Sequence, residues 1–140
     1  LEFRRVLFRS RIYLMDLRRN ARPKRLTQGG EPEFHPAWSP DGRQIAFSAL
    51  KGGLLDLYVL NLEDGSVKAL TNDAYADLDP EWSPDGASLA WVTDRFSSDM
   101  NALEFGNYRI GVILSADSTV SHTAARQATS PSVTWGSGRL

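Results

Sequence analysis

The sequence predicts an all-β fold, and three observations support this prediction. The string Trp-Ser-Pro-Asp-Gly occurs at 38–42 and again at 82–86, so a segment of 44 residues repeats. Apolar and polar residues alternate as they do in half-buried strands, and a helical period is nearly absent. Turn residues separate the short apolar segments. A repeat of this length, built from short strands, is the signature of β-propeller blades. We therefore predict a β-propeller fragment of four-stranded antiparallel blades, about two and a half of them, with the ring not closed.

The two ends of the chain are interpreted separately from its middle. The segment 3–10 can be encoded by a common sequencing-library adapter read in frame, and no initiator Met is present. We expect residues 1–10 to be a non-native artefact and exclude them from fold reasoning. Residues 11–140 are expected to be a partial propeller from the interior of a longer reading frame. The expected divisions are the end of one blade at 11–26, a blade at 27–70, a blade at 71–120 with an insertion at 94–107, and the degraded start of another blade at 121–140.

Each full blade is expected to begin with a short inner strand that ends at the repeated Trp, over 34–38 and 79–82. Ser-Pro-Asp-Gly then forms a hairpin turn, because Pro presets its own φ, Asp accepts a backbone N–H and Gly tolerates a positive φ. The second strands are predicted at 44–48 and 88–93.

The remaining strands follow from the same repeat. The third strand is predicted at 57–62, with its counterparts at 12–17 and 108–114, and the outer strand at 67–70, with its counterpart at 24–26. The connection between the second and third strands is predicted as a loop over 49–56 in one blade. It is longer in the next blade, over 94–107, and loops of this kind often carry binding. A vestigial outer strand is expected at 118–120.

Composition narrows the class of protein. The chain has 140 residues and a net charge of −1, but residues 1–26 carry nine basic and two acidic side chains, whereas 27–140 carry seven and fifteen. The basic segment 18–25 is interpreted as a solvated hairpin tip, because no aromatic residues are interleaved for base stacking; no nucleic-acid partner is expected. The absence of cysteine excludes disulfides and thiolate sites. No apolar run approaches the roughly 20 residues of a membrane helix, so no membrane span is expected in this fragment.

The repeated motif is interpreted as structural. Strict repetition of Trp38 and Trp82 favours packing between neighbouring blades over ligand stacking. The turn residues are given the same role. The structural motif comprises Trp38, Ser39, Pro40, Asp41, Gly42, Trp82, Ser83, Pro84, Asp85 and Gly86.

Four polar residues are candidate channel or ligand positions. His35 and Asp79 occupy equivalent places, each before the Pro of an inner strand, and inner strands line the central channel of a propeller. Asp73, Asp77 and Asp79 form an acidic loop that suits either a cation with oxygen ligands or the capping of turns. We prefer turn capping and predict no metal site and no cofactor.

No catalytic centre is predicted within the fragment. The chain contains no Gly-x-Ser-x-Gly nucleophile elbow and no His-Glu-x-x-His motif. Its two histidines, His35 and His122, are isolated from each other in the sequence.

The Trp-Ser-Pro-Asp-Gly turn, the Ile-Ala-Phe strand at 45–47, the Ile-Tyr-Leu strand at 12–14 and the Leu-Thr pair at 26–27 resemble TolB-like (WD40-like Pro-Asp) propeller repeats of bacteria. This resemblance implies a non-catalytic scaffold that binds a protein partner in the bacterial cell envelope, in the periplasm or outside the cell, without an obligate oligomer. The alternative is the propeller domain of a larger peptidase, of the prolyl oligopeptidase type or an envelope metallopeptidase, that gates or positions substrate. Whether the parent protein is an enzyme therefore stays open.

Overall fold

The structure is a computed structural model that describes residues 10–17 and 21–114. The described residues form strands and loops, with no helix among them. The expectations for 118–120, for 121–140 and for His122 lie outside the described residues. The strands are β1 (Tyr13–Leu14), β2 (Lys24–Arg25), β3 (Glu33–Trp38), β4 (Gln44–Lys51), β5 (Leu54–Asn61), β6 (Val67–Ala69), β7 (Asp77–Trp82), β8 (Ser88–Thr93) and β9 (Arg109–Leu114).

The strands form three antiparallel sheets, which we call blades 1 to 3. Blade 1 contains β1 and β2, blade 2 contains β3 to β6, and blade 3 contains β7 to β9. In each sheet the spatial order of the strands equals their order along the chain. Within the described residues the sheets do not close into a ring, so the predicted class, an open fragment of a β-propeller, is confirmed.

The hairpin between β4 and β5 differs from the predicted loop over 49–56. The two strands pair continuously as far as Lys51 and Leu54, leaving a turn of only two residues. Gly52 and Gly53 occupy this turn with φ of 63° and 96°. Two consecutive positive φ angles match the twist of an antiparallel hairpin, so the Gly-Gly pair lets the strands extend to their tips. The expectation of a loop over 49–56 was wrong, because the strand pairing continues from Ala49 and Asp56 to the Gly-Gly turn.

The repeated turn is held by its serine as well as by its aspartate. The Oγ of Ser39 donates to Asp41 Oδ1 over 2.6 Å and accepts the Gln44 N–H over 2.9 Å. Asp41 Oδ1 also accepts the Arg43 N–H over 3.0 Å, and Gly42 has a φ of 70°. The second copy has the same contacts at Ser83, Asp85, Gly86, Ala87 and Ser88.

The core lies between the faces of neighbouring blades. One cluster of buried side chains joins blade 2 to blade 3, and a second joins the other face of blade 2 to blade 1. The first contains Ala46, Leu57, Trp82, Leu89, Trp91 and Ile113. The second contains Ile12, Phe47, Ala49 and Leu60. Successive side chains of β4 and β5 point to opposite faces of the sheet, so this one pair of strands contributes residues to both clusters.

The two repeated tryptophans differ in burial. Trp82 is 7% exposed, and its indole N–H lies 3.3 Å from the carbonyl oxygen of Ala37 on the inner strand of blade 2. Trp38 is 50% exposed, which differs from the expectation that both rings are packed between blades. A ring at this position packs on the inner strands of the preceding blade. For Trp38 the described residues of that blade comprise only β1 and β2.

Blade 3 fills one core position differently from blade 2. In blade 2 the cross-strand partners Phe47 and Tyr58 stack with ring centroids 5.7 Å apart. The equivalent partners in blade 3 are Trp91 and Gly111. A Cβ atom on Gly111 would lie 2.7 Å from the Trp91 ring, so the larger ring requires a glycine opposite it. This arrangement places the indole of Trp91 beside the polar cluster described below.

We predict that Trp82→Ala lowers the free energy of unfolding by roughly 3–5 kcal/mol, because it removes a buried ring and leaves a cavity between two blades. The matched variant Trp38→Ala is expected to cost less than about 1.5 kcal/mol in the same chain, since half of that ring is in water. Urea unfolding of the 140-residue chain measures both. Equal losses for the two variants would contradict the assignment of Trp82 to the blade interface.

Candidate functional site

All the candidate ligand positions lie at one end of the blades. Antiparallel strands alternate in direction, so the connection from β4 to β5, that from β8 to β9, and those between successive blades all emerge at the same end. We call this end the loop face; it comprises 26–33, 51–54, 70–79 and 94–108. The opposite end, called the turn face, carries both Ser-Pro-Asp-Gly turns and residues 62–66.

His35 and Asp79 are brought together by neighbouring inner strands. His35 Nδ1 lies 3.1 Å from Asp79 Oδ1, and both side chains are partly exposed. Their backbones have φ of 50° and 47°, a left-handed conformation that is uncommon for residues other than glycine. Each lies within the register shift of its strand, next to Pro36 or Pro80. The bulge thus directs equivalent residues of two blades at one another.

The acidic loop is divided between two groups. Asp73 and Asp77 lie close together, but the third member of their group is Asp56, and carboxylate oxygens of the three are within 4.8 Å of one another. Asp79 pairs with His35 instead. The acidic loop thus contributes Asp73 and Asp77 to one group of side chains and Asp79 to another. Asp56 lies at the loop-face end of β5. It meets the acidic loop because β6, which pairs with β5, leads into that loop, and Asp56 Oδ1 accepts the backbone N–H of Asp73 over 3.3 Å.

An arginine lies within this group of carboxylates. Arg95 Nη2 is 2.9 Å from Asp73 Oδ2 and 2.8 Å from Asp77 Oδ2. Its guanidinium also contacts the rings of Tyr75 and Trp91, with its central carbon 5.6 and 5.7 Å from their centroids. Three carboxylates are donors suited to a hard cation, but here the guanidinium already supplies positive charge to two of them. Sequence reasoning did not identify Arg95, which stands in the insertion with no motif around it.

Asp77 is the most enclosed member of the cluster. Its side chain is fully buried, and its Oδ1 accepts the indole N–H of Trp91 over 2.8 Å. Burial raises the pKa of Asp77, while hydrogen bonds from Thr93 and the charge of Arg95 act in the opposite direction. Burial also raises the pKa of Asp56, and the charge of Asp77 adds to that effect.

Blade 2 has a related carboxylate at the position equivalent to Asp77. Glu33 is 6% exposed and follows Thr27 by six residues, as Asp77 follows Thr71. Its Oε2 accepts the backbone N–H of Ile12 over 3.2 Å and a short hydrogen bond from Thr27 Oγ1. Through these contacts, the start of blade 2 is tied to the first strand of blade 1. A buried acid therefore stands at the start of each described inner strand, and the alternation pattern did not reveal it.

The insertion is fastened to the acidic loop at its base. Asp94 is 6% exposed, and its Oδ1 accepts the backbone N–H of Ala76 over 2.9 Å. Its Oδ2 accepts the hydroxyl of Ser98 over 2.9 Å. Together with Arg95, this residue fixes the loop against the junction of blades 2 and 3. Among residues 10–17 and 21–114, no helix is long and apolar enough to cross a bilayer.

These blades define a β-propeller protein, and comparison with known families identifies which one. The family model described as the TolB beta propeller domain matches residues 4–102. The chain belongs to this family, which confirms the resemblance seen in its repeated turns.

Individual relatives match over shorter shares of their own length. The Tol-Pal system protein TolB of Alkalilimnicola ehrlichii is 40% identical over 44 residues, which cover 31% of this chain and 10% of that protein. The structure of TolB from Acinetobacter baumannii has a TM-score of 0.62 at 26% identity and covers 80% of this chain and 26% of the other. A putative TolB from Agrobacterium tumefaciens has a TM-score of 0.63 at 21% identity, with 89% and 40% covered. This chain thus spans less than half of each relative.

Peptidase propellers share the fold as well. The tricorn protease structure has a TM-score of 0.60 at 23% identity and covers 76% of this chain and 12% of that protein. At this level of identity the likeness concerns the fold alone.

We predict that Arg95→Ala lowers the free energy of unfolding by about 3–5 kcal/mol, because a buried carboxylate loses its cation and Asp56 and Asp73 remain beside it. Arg43→Ala, which removes an exposed arginine on the turn face, is expected to change stability by less than about 0.5 kcal/mol. Urea unfolding at pH 7 compares the two variants. If both lose the same stability, Arg95 does not hold the cluster together.

A second prediction concerns pH. The pKa of Asp56 is raised in the folded chain. Its contribution to the free energy of unfolding is therefore most favourable below about pH 3.9, the pKa of aspartate in an unfolded chain, and is lost as pH rises through the folded-state pKa. Asp56→Asn should therefore stabilise the chain at pH 7 relative to wild type, with a smaller difference at pH 4. The pKa of Asp64 is lowered by its hydrogen bonds with Ser66. Asp64→Asn should therefore destabilise the chain at pH 7 relative to wild type, with a smaller difference at pH 4. Urea midpoints at both pH values test the pair, and parallel shifts of the two variants would refute this reasoning.

Proposed function

We propose that the chain is part of a non-catalytic β-propeller scaffold whose loop face docks a protein partner in the bacterial cell envelope, in the periplasm or outside the cell. Membership of the TolB beta propeller domain family is the observation that carries this proposal. The name of the Alkalilimnicola ehrlichii relative refers to a Tol-Pal system. A protein component of such a system is the partner class that we propose for this chain.

The loop face has the features that a docking surface needs. The four segments of the loop face carry eight acidic and two basic side chains, a net charge of −6. His35 and Asp79 lie partly exposed at the start of the inner strands, next to the acidic loop and the insertion. Complementary charge on a partner would accelerate its encounter with this face and orient it there. The turn face, by contrast, is built from side chains that hydrogen-bond their own turns, and we assign the motif residues there a structural role.

Calorimetric titration of the 140-residue chain with purified protein components of the Alkalilimnicola ehrlichii Tol-Pal system tests the proposal. We expect at least one component to bind with a Kd of roughly 10 μM or tighter. Asp79→Asn on the loop face should weaken that binding, and Glu63→Gln on the turn face should leave it within about twofold. No binding by any component would reject a TolB-like docking role.

The non-catalytic part of the proposal has a separate test. Sequencing the parent locus in both directions shows which domains share the reading frame. A Gly-x-Ser-x-Gly elbow or a His-Glu-x-x-His motif in that frame would assign the propeller to a peptidase. Further Trp-Ser-Pro-Asp-Gly blades behind a signal peptide, without either motif, would support the scaffold.

A further inference from the structure

The insertion presents two apolar side chains to solvent on the loop face. Leu103 is 75% exposed and Phe105 is 74% exposed, and they lie two residues apart. Single exposed apolar residues are ordinary on a protein surface. What distinguishes this pair is the dense hydrogen bonding of the loop that displays it. We call residues 99–105 the insertion tip.

The insertion tip is a closed hairpin. Asp99 and Glu104 exchange both backbone hydrogen bonds, of 2.8 and 2.9 Å. Asp99 Oδ1 also accepts the backbone N–H groups of Asn101 and Ala102, over 2.9 and 3.2 Å. Leu103 has a φ of 55°, a backbone conformation that L-residues rarely adopt. The loop therefore holds a leucine in an unfavourable conformation while leaving its side chain in water.

The base of the loop is equally ordered. The backbone N–H of Gly106 donates to Ser98 Oγ over 2.9 Å, and Ser97 Oγ donates to the carbonyl of Asn107 over 2.5 Å. A Cβ atom on Gly106 would lie 2.2 Å from the Ser97 carbonyl oxygen, so the two loop strands approach too closely for any other residue. Arg95 and Asp94 connect this base to the blade junction. Binding to such a loop has little ordering entropy to overcome.

The charge around the tip defines the kind of partner. Glu104 stands between the two apolar residues in the sequence and is bridged to Asp99 across the hairpin, and both acidic residues are exposed. Two arginines stand four residues from either end of the tip: Arg95 is largely buried and engaged by Asp73 and Asp77, and Arg109 is half-buried at the start of β9. An apolar spot inside a negative field attracts a segment that is both apolar and basic, and it repels an anionic membrane surface.

We propose that the insertion tip is a docking surface for a basic amphipathic segment of a partner protein. Apolar side chains of that segment would pack on Leu103 and Phe105, and its lysines or arginines would pair with Asp99 and Glu104. This proposal rests on the protein-docking function proposed above and names the surface and the partner chemistry that serve it.

Fluorescence anisotropy with a synthetic probe tests the proposal. The probe is a labelled amphipathic helix of about 14 residues made of leucine and lysine, at about 50 mM NaCl so that charge is weakly screened. We expect the 140-residue chain to bind it with a Kd in the range of about 1–100 μM. A peptide with glutamate in place of each lysine should bind at least about tenfold more weakly.

Three variants locate the contact. The double substitution Leu103→Ser and Phe105→Ser should weaken binding of the lysine peptide by about tenfold or more, and Glu104→Gln by roughly threefold. The matched control is Leu17→Ser, since Leu17 is 80% exposed just after β1, away from the insertion; it should stay within about twofold of wild type. Near-UV circular dichroism and urea midpoints check that each variant keeps the fold.

Four outcomes would overturn the proposal. They are failure of the wild-type chain to bind the lysine peptide, unchanged binding by the double variant, tighter binding to phosphatidylglycerol vesicles than to the peptide, and self-association of the wild-type chain that the double variant loses. If a Tol-Pal component binds while the double substitution has no effect on either ligand, the scaffold function stands and the insertion tip is excluded. If no component binds, the scaffold function fails whatever the peptide does.

Discussion

A propeller blade is a sheet with two apolar faces, and the rest of this structure depends on the need to cover both. Blade 2 meets that need with alternate residues of β4 and β5, which face blade 3 on one side and blade 1 on the other. Where the face is covered the ring is buried: Trp82 packs against the inner strand of blade 2. Trp38 is followed by the same Ser-Pro-Asp-Gly turn but has half its surface in water. Burial at this position is therefore a property of the neighbouring blade and not of the motif.

Covered faces alone do not determine how the loop-face ends of the blades are held, and buried carboxylates contribute contacts there. Glu33 ties the start of blade 2 to the first strand of blade 1. Asp77 stands at the equivalent position of blade 3 and is bound by Trp91 and Arg95. A buried charge is tolerated only when its hydrogen bonds are satisfied. Arg95 supplies such a partner to Asp77, and this contact holds the base of the insertion at the blade junction.

The pairing of Asp77 with Arg95 also determines how the insertion is attached to the blades. The insertion is not a loose loop, because its base is bound to the acidic loop through Asp94 and Arg95 and its tip is closed by paired backbone groups. Two sets of acidic side chains share the loop face. Glu33 and Asp77 are buried and hold backbone and side-chain partners, whereas Asp79, Asp99 and Glu104 reach solvent and contribute to the negative charge of the surface.

The sequence by itself determined the fold class, the blade period and the position of every described turn that contains Trp-Ser-Pro-Asp-Gly, because these depend on local alternation and on the backbone preferences of Pro and Gly. It also placed His35 and Asp79 at equivalent points of the repeat. Only the tertiary structure decided that these two side chains meet, that Asp56 and not Asp79 joins Asp73 and Asp77, and that Arg95 lies among them. These contacts join residues that are far apart in the sequence and lie on neighbouring strands or blades, so their distance in space depends on how strands and sheets pack. Local pattern carries no information about that distance.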